Sequence, residues 1–310
     1  MARQRQTGAT GPSVEVDGGP EGRPRRIGSK PAAGLYLVAT PIGNIRDITL
    51  RALDVLAEAD MVACEDSRVT GKLLMLLGLK RPLLPYHEHN AEKAGRELMA
   101  HLKQGAVVAL VSDAGTPLVS DPGWALVRAC IEEGVPVTAV PGPSAALAAL
   151  QLSGLPADRF LFAGFLPGKG AARRAVLKEL ESTPASLVFY EAPHRLPETL
   201  ADMAAVLGDR GAAVARELTK MHEEVVRGRL FELSQHFAEA GPPRGEVVVV
   251  VAPPGAATPV TPDDLDRRLA AAVAGGASIK DAAALIAAET GHQRREVYAR
   301  ALKLFRSNNE

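Results

Sequence analysis

Short apolar runs alternate along the chain with segments of helical periodicity, and five of the runs end in a polar or Gly/Pro corner. Run 35–39 leads into Thr40-Pro41-Ile42-Gly43-Asn44, and Met61–Cys64 into Glu65-Asp66-Ser67-Arg68. Run 106–111 leads into Ser112-Asp113-Ala114-Gly115-Thr116-Pro117, 135–140 into Pro141-Gly142-Pro143-Ser144, and 187–190 into Glu191-Ala192-Pro193-His194-Arg195. Between the first two runs, Thr49 is placed to cap a helix whose Leu50, Leu53, Leu56 and Ala57 repeat at three- and four-residue spacing. Strand, helix and strand in alternation predict a mostly parallel sheet in an α/β fold. Ligands of such sheets sit outside the carboxyl ends of the strands, so five special corners there predict a binding site.

The pattern breaks at Leu152-Ser153-Gly154-Leu155-Pro156-Ala157-Asp158, and a second strand set begins at Phe160. The predicted organisation is an N-terminal α/β domain over 34–152 and a second over 158–254. Within the second, Val225-Val226-Arg227-Gly228-Arg229-Leu230 reads as a hairpin turning at Gly228, which makes part of that sheet antiparallel. Past Pro253-Pro254-Gly255 come three short helices over 261–306: one starting at Thr261-Pro262-Asp263-Asp264, one capped by Ser278, and one from about His292 to Phe305. Residues 1–33, rich in Gly, Pro, Arg and Gln and without apolar periodicity, read as a disordered tail.

Composition narrows the function classes. Lys and Arg total 36 and so do Asp and Glu, so any polyanion partner is expected to be held by local basic patches and not by a global field. Two cysteines in or beside apolar stretches offer neither a disulfide framework nor zinc spacing, which suits a cytoplasmic setting. No apolar run approaches bilayer-spanning length, so no membrane partner is expected. The first strand is not followed by Gly-x-Gly-x-x-Gly, and no Gly-x-x-x-x-Gly-Lys-Ser/Thr occurs, so ordinary dinucleotide and triphosphate sites lack support. The Gly/Pro corners instead bring main-chain N–H and C=O groups close to a ligand, enough to grip an adenosine-like molecule. Ser144 opens a helix whose free N–H groups suit a carboxylate.

Together with Tyr190-Glu191-Ala192-Pro193-His194-Arg195 and Arg216-Glu217-Leu218-Thr219-Lys220, these corners resemble, in order along the chain from Gly34 to Phe305, the ribosomal RNA small subunit methyltransferase I family of the tetrapyrrole methylase superfamily. The resemblance implies a bilobal fold with the ligand cleft between two α/β domains and a C-terminal helical appendage. It also implies S-adenosylmethionine as methyl donor, the ribose 2′-hydroxyl of a cytidine in the decoding region of 16S rRNA as acceptor, and a homodimer. Carried onto the matching corners, the expected donor site is Thr40, Pro41, Gly43, Asp113, Ala114, Gly115, Thr116, Pro141, Ser144, Ala215 and Arg216.

Methyl transfer to a hydroxyl is an in-line displacement in which positioning supplies much of the rate, but the hydroxyl must lose its proton. Bases at strand ends are Glu65, Asp66, Asp113, Glu191 and His194, and cations are Arg68, Arg195, Arg216 and Lys220; the sequence does not choose among them. For RNA, the open loop around Lys169 with Arg173 and Arg174, Lys220, and Arg294 and Arg295 on the last helix supply positive charge. Aromatic residues are 4% of the chain, against a base-stacking platform. His87-Glu88-His89-Asn90 lacks a third ligand at recognisable spacing, and no metal is expected. Two other readings stay open: a tetrapyrrole C-methyltransferase with the same donor site, and a noncatalytic RNA-binding assembly factor. The appendage and basic patches favour RNA, and the intact corners favour an enzyme.

Overall fold

A computed structural model of the chain describes residues 31–255, 262–290 and 294–306. Most of the expected tail, and the expected helix starts at Thr261 and His292, lie outside them. Five strands, β1 (Gly34–Val38), β2 (Met61–Cys64), β3 (Leu83–Pro85), β4 (Val107–Val111) and β5 (Val137–Val140), form a parallel sheet in the order β3-β2-β4-β1-β5. Every residue of β4 is buried, because helices cover both faces. Val107, Ala109 and Val111 meet Ala52, Val55 and Leu56 of α1 (Leu50–Glu58) and Leu74 of α2 (Ser67–Leu76). Val108 and Leu110, pointing the other way at strand period, meet Leu98 of α3 (Ala91–Lys103) and Leu126 and Cys130 of α4 (Trp124–Glu132). Thr49 caps α1, its hydroxyl accepting from the Ala52 N–H at 3.1 Å. The short β3 has no counterpart in the sequence reading; Pro82 and Pro85 mask it, and an edge strand tolerates them.

The second sheet runs β6-β7-β10-β8-β9, from β6 (Phe160–Phe165), β7 (Ser186–Glu191), β8 (Gly211–Arg216), β9 (Glu224–Arg229) and β10 (Val247–Val251). Only β6 and β7 pair in parallel; the other pairs are antiparallel. Three helices, α6 (Gly170–Leu180), α7 (Leu196–Leu207) and α8 (Leu230–Ala240), bury one face through Leu177, Leu200, Met203 and Leu233. The other face is covered by α5 (Ala145–Ser153), whose Ala146, Ala149 and Leu150 pack on Val188, Ala215, Val248 and Val250. By packing, α5 therefore serves the second sheet, although its sequence position groups it with the first.

The hairpin expected at Gly228 is not formed. Gly228 lies inside β9, opposite Ala212, and the reversal falls at 217–223, where Glu217 and Thr219 take left-handed backbone angles of 50° and 65°. A Cβ on Gly228 would stand 3.0 Å from the Glu232 carboxylate, which accepts from the Arg229 N–H at 2.9 Å. Glycine there admits the first turn of α8 and makes no turn of its own.

Helices α9 (Pro262–Ala274), α10 (Ile279–Thr290) and α11 (Arg294–Arg306) share a separate small core of Leu269, Ala282, Ala283, Val297 and Ala301. Ser278 caps α10 as its sequence suggests, accepting from the Asp281 N–H at 3.1 Å.

Candidate active site

The corners after β1 and β4 are laced together: Thr40 N–H donates to Gly115 C=O at 2.9 Å, and Gly115 N–H returns the bond at 3.1 Å. Thr116 extends the lacing by donating its hydroxyl to Pro143 C=O at 3.1 Å. Below these loops opens a cavity of about 340 Å³ between the two sheets. The first lobe contributes Ile42, 113–116 and 119–121; the second contributes Phe165, Tyr190, Glu191 and 245–248. Gly115 sits at φ +80°, and a Cβ there would press on Ile42 Cγ2 at 3.2 Å. The lobes also touch beside the cavity, where Asn44 N–H donates to Thr219 Oγ1 at 3.0 Å. Gly43 makes that approach feasible, since any Cβ would collide with the Lys220 side chain.

Of the residues expected at the donor site, Asp113, Ala114, Gly115 and Thr116 line the cavity. Thr40 holds Gly115, and Ser144 caps α5 next to the lining Ala145. Pro41, Gly43, Pro141, Ala215 and Arg216 are not part of the wall. Ala215 is buried under α5, and Arg216 is held by Glu224 at 2.6 Å.

The expected bases separate by environment. Asp66 caps α2 and is gripped by Arg68, which holds its carboxyl at about 2, a weak base. Buried Glu191 lines the cavity, but its oxygens accept from Thr199 at 2.6 Å and Ala192 N–H at 2.8 Å, with Arg195 at 3.3 Å. His194 is exposed in a 3-10 turn. Burial raises the Glu65 carboxyl, helped by Asp113 and Glu88, but Glu65 is not in the wall.

Two lining acids, Asp121 and Glu246, escaped the sequence reading, and Glu246 is paired with Lys220 at 3.1 Å. Asp121 is pushed up to about 6, chiefly by burial and then by the neighbouring charge of Glu65, with Ser112 pulling the other way and Asp113 adding to the rise. Its backbone setting is unusual: Leu118 and Ser120, neither of them glycine, sit at φ 69° and 68°. The signal was present in Ser120-Asp121-Pro122-Gly123, a second Gly/Pro corner in the same loop that follows no strand of its own. Directly after it, α4 opens with Trp124, 67% exposed, with the Arg128 guanidinium 5.5 Å from its ring centre.

The wall carries four carboxylates, Asp113, Asp121, Glu191 and Glu246, and among the described residues no Lys, Arg or His. Such a cavity suits a cationic ligand that is otherwise gripped by main chain and apolar groups. Among the described residues no three His, Cys, Asp or Glu side chains gather as a metal site.

The expected RNA patch is corrected at one residue. Arg173 is buried, its Nε 2.6 Å from Asp202 and its NH2 3.6 Å from Glu198, so it ties α6 to α7. Lys169 and Arg174 remain exposed, as do Arg294 and Arg295 on α11. Lys220 is engaged by Glu217 at 2.8 Å and Glu246 at 3.1 Å.

Residues 34–234 match the family model of the Tetrapyrrole (Corrin/Porphyrin) Methylases, and residues 259–305 match that of the RsmI C-terminal HTH domain. The chain is 52% identical over 277 residues to Ribosomal RNA small subunit methyltransferase I of Mesorhizobium japonicum, covering 89% of this chain and 94% of that one. It is 46% identical over 271 residues to the protein of the same name from Escherichia coli O157:H7, covering 87% and 94%. The solved uroporphyrin-III C-methyl transferase of Thermus thermophilus, complexed with S-adenyl homocysteine, shares the fold with a TM-score of 0.51 and 24% identity over 71% of this chain and 97% of that one.

Proposed function

The chain belongs to the ribosomal RNA small subunit methyltransferase I family of the tetrapyrrole methylases, and from that premise we propose that it methylates the ribose 2′-hydroxyl of a cytidine in the decoding region of 16S rRNA. The methyl donor in this reading is S-adenosylmethionine, and the observation that carries it is the acid-lined, glycine-looped cavity between the lobes. A sulfonium is a cation, so it fits a wall lined by carboxylates in which Glu191 and Glu246 are paired from outside by Arg195 and Lys220 while Asp121 faces acids, and the left-handed Gly115 keeps a side chain out of its way. When bound, the sulfonium supplies an electrophilic methyl group. The protein's own part is to hold donor and ribose in line and to accept a proton at the acidic wall.

RNA would be held by phosphate contacts from Lys169 and Arg174 on the second lobe and from Arg294 and Arg295 on α11. The matched C-terminal HTH segment favours RNA over a porphyrin as acceptor. The reading extends to an assembled small subunit as substrate, to action in the cytoplasm as a homodimer, and to no metal requirement.

Mapping ribose methylation on 16S rRNA from cells with and without the gene tests the reading. One methylated cytidine lost with the gene, and restored by purified protein and donor on small subunits, is expected. An unchanged map would overturn it. In the same assay, Lys169→Ala/Arg174→Ala protein should need more substrate and lose part of its salt dependence, while its donor affinity stays as in the parent.

A further inference from the structure

Resting on the reading of ribose methylation, we propose that Asp121 is the base that takes the proton from the attacking hydroxyl. The argument proceeds through the four acids of the cavity wall. Glu191 is spent on Thr199, the Ala192 amide and Arg195. Glu246 answers Lys220. Asp113 accepts from the Asp66 N–H at 3.1 Å, joining the corners after β2 and β4. Asp121 has the Ser112 hydroxyl beside it and otherwise faces acids and a phenol: Glu65, Asp113 and Tyr190. It is thus the lining carboxylate least committed to holding the fold together. Two left-handed non-glycine residues, Leu118 and Ser120, shape the loop that presents it, and strain of that kind persists where a side chain must be aimed.

The acid is also matched to the task. A carboxyl near 6 is a stronger base than an ordinary aspartate and is still mostly ionised at neutral pH. A cation brought into the same cavity would favour the ionised form further. In the step itself the hydroxyl oxygen forms the new bond to the methyl carbon. The carbon–sulfur bond breaks with its electrons going to sulfur, the O–H proton passes to the Asp121 carboxylate, and water later removes it.

Single-turnover methylation of small subunits by wild-type and Asp121→Asn protein, followed across pH, tests the assignment. The rate of the variant should fall by about 10²–10⁴-fold, as for loss of a positioned base, while calorimetry still detects donor binding. The wild-type rate should rise with pH through an ionisation near 6, shifted down if the bound cation acts on it, and the variant should lose that ionisation. A structural role would leave the pH profile in place. A variant with nearly full rate, or one that keeps the wild-type profile, overturns the proposal. If the variant does not fold, a wild-type rate that is flat through this range overturns it equally. A wild-type protein that moves no methyl group to ribose would instead overturn the functional reading, and this assignment with it.

Discussion

The corner after β2 and the later part of the loop between β4 and α4 each present a partly exposed aspartate, Asp66 and Asp121, yet the two live in opposite electrostatic surroundings. Asp66 caps α2 and is clasped by Arg68, so its charge is stabilised and its carboxyl falls to about 2. Asp121 is half-buried at the cavity wall with acids for neighbours, so its charge is opposed and its carboxyl rises to about 6. A carboxylate's role is set by what surrounds it: the first secures a helix, and the second stays reactive at neutral pH.

The contrast can be broken at the loop that carries the cavity. Gly115→Val places a branched side chain at φ +80° against Ile42, and donor binding should be abolished while the circular dichroism of the protein persists. Unchanged donor affinity in a folded Gly115→Val protein would show that the cavity is not the donor site.

A smaller effect should appear in stability. Because the Asp121 carboxyl is raised, the folded state binds its proton more tightly than the unfolded chain, and wild type loses stability as pH climbs from the ordinary 3.8 to about 6. A shift of that size in a dry interior would correspond to about 3 kcal/mol, which solvent at this half-buried site reduces to about 1 kcal/mol. Asp121→Asn should therefore be the more stable protein at neutral pH, with the gain vanishing near pH 4. Chemical denaturation at both pH values reads the difference, and a variant less stable at neutral pH would mean that Asp121 holds the loop.

The smallest change is expected at Asp66. Its depressed carboxyl contributes stability above the unfolded value, lost only as pH falls through about 2, and Asn can keep the cap. Asp66→Asn should transfer methyl groups within about twofold of wild type in single turnover. A loss as deep as that of Asp121→Asn would reverse the assigned roles.

Much of this architecture is written in short-range patterns. The run Met61–Cys64 and the run Phe160–Phe165 end where the sequence places them, and Thr49 and Ser144 cap the helices they precede. What the sequence hides depends on contacts between distant segments. The apolar residues of α5 do not say which sheet they will cover, and Gly228 looks like a turn until Glu232 is seen beside it. Arg173 carries the same charge as Arg174, but only the fold reveals that Asp202 removes the first from the surface. Asp121 was missed for a related reason, since its corner follows no strand and its proton affinity comes from burial and from Glu65, far away in sequence.

The chain's single tryptophan happens to stand three residues beyond Asp121, at the outer start of α4 beneath the Arg128 guanidinium. With four tyrosines as the other strong near-ultraviolet absorbers, selective excitation of the indole isolates one optical signal from the whole molecule. The emission of Trp124 therefore reports on the loop that shapes the cavity, with no label attached. A ligand that shifts this loop announces itself as a change in colour or intensity, in real time and in the unaltered protein.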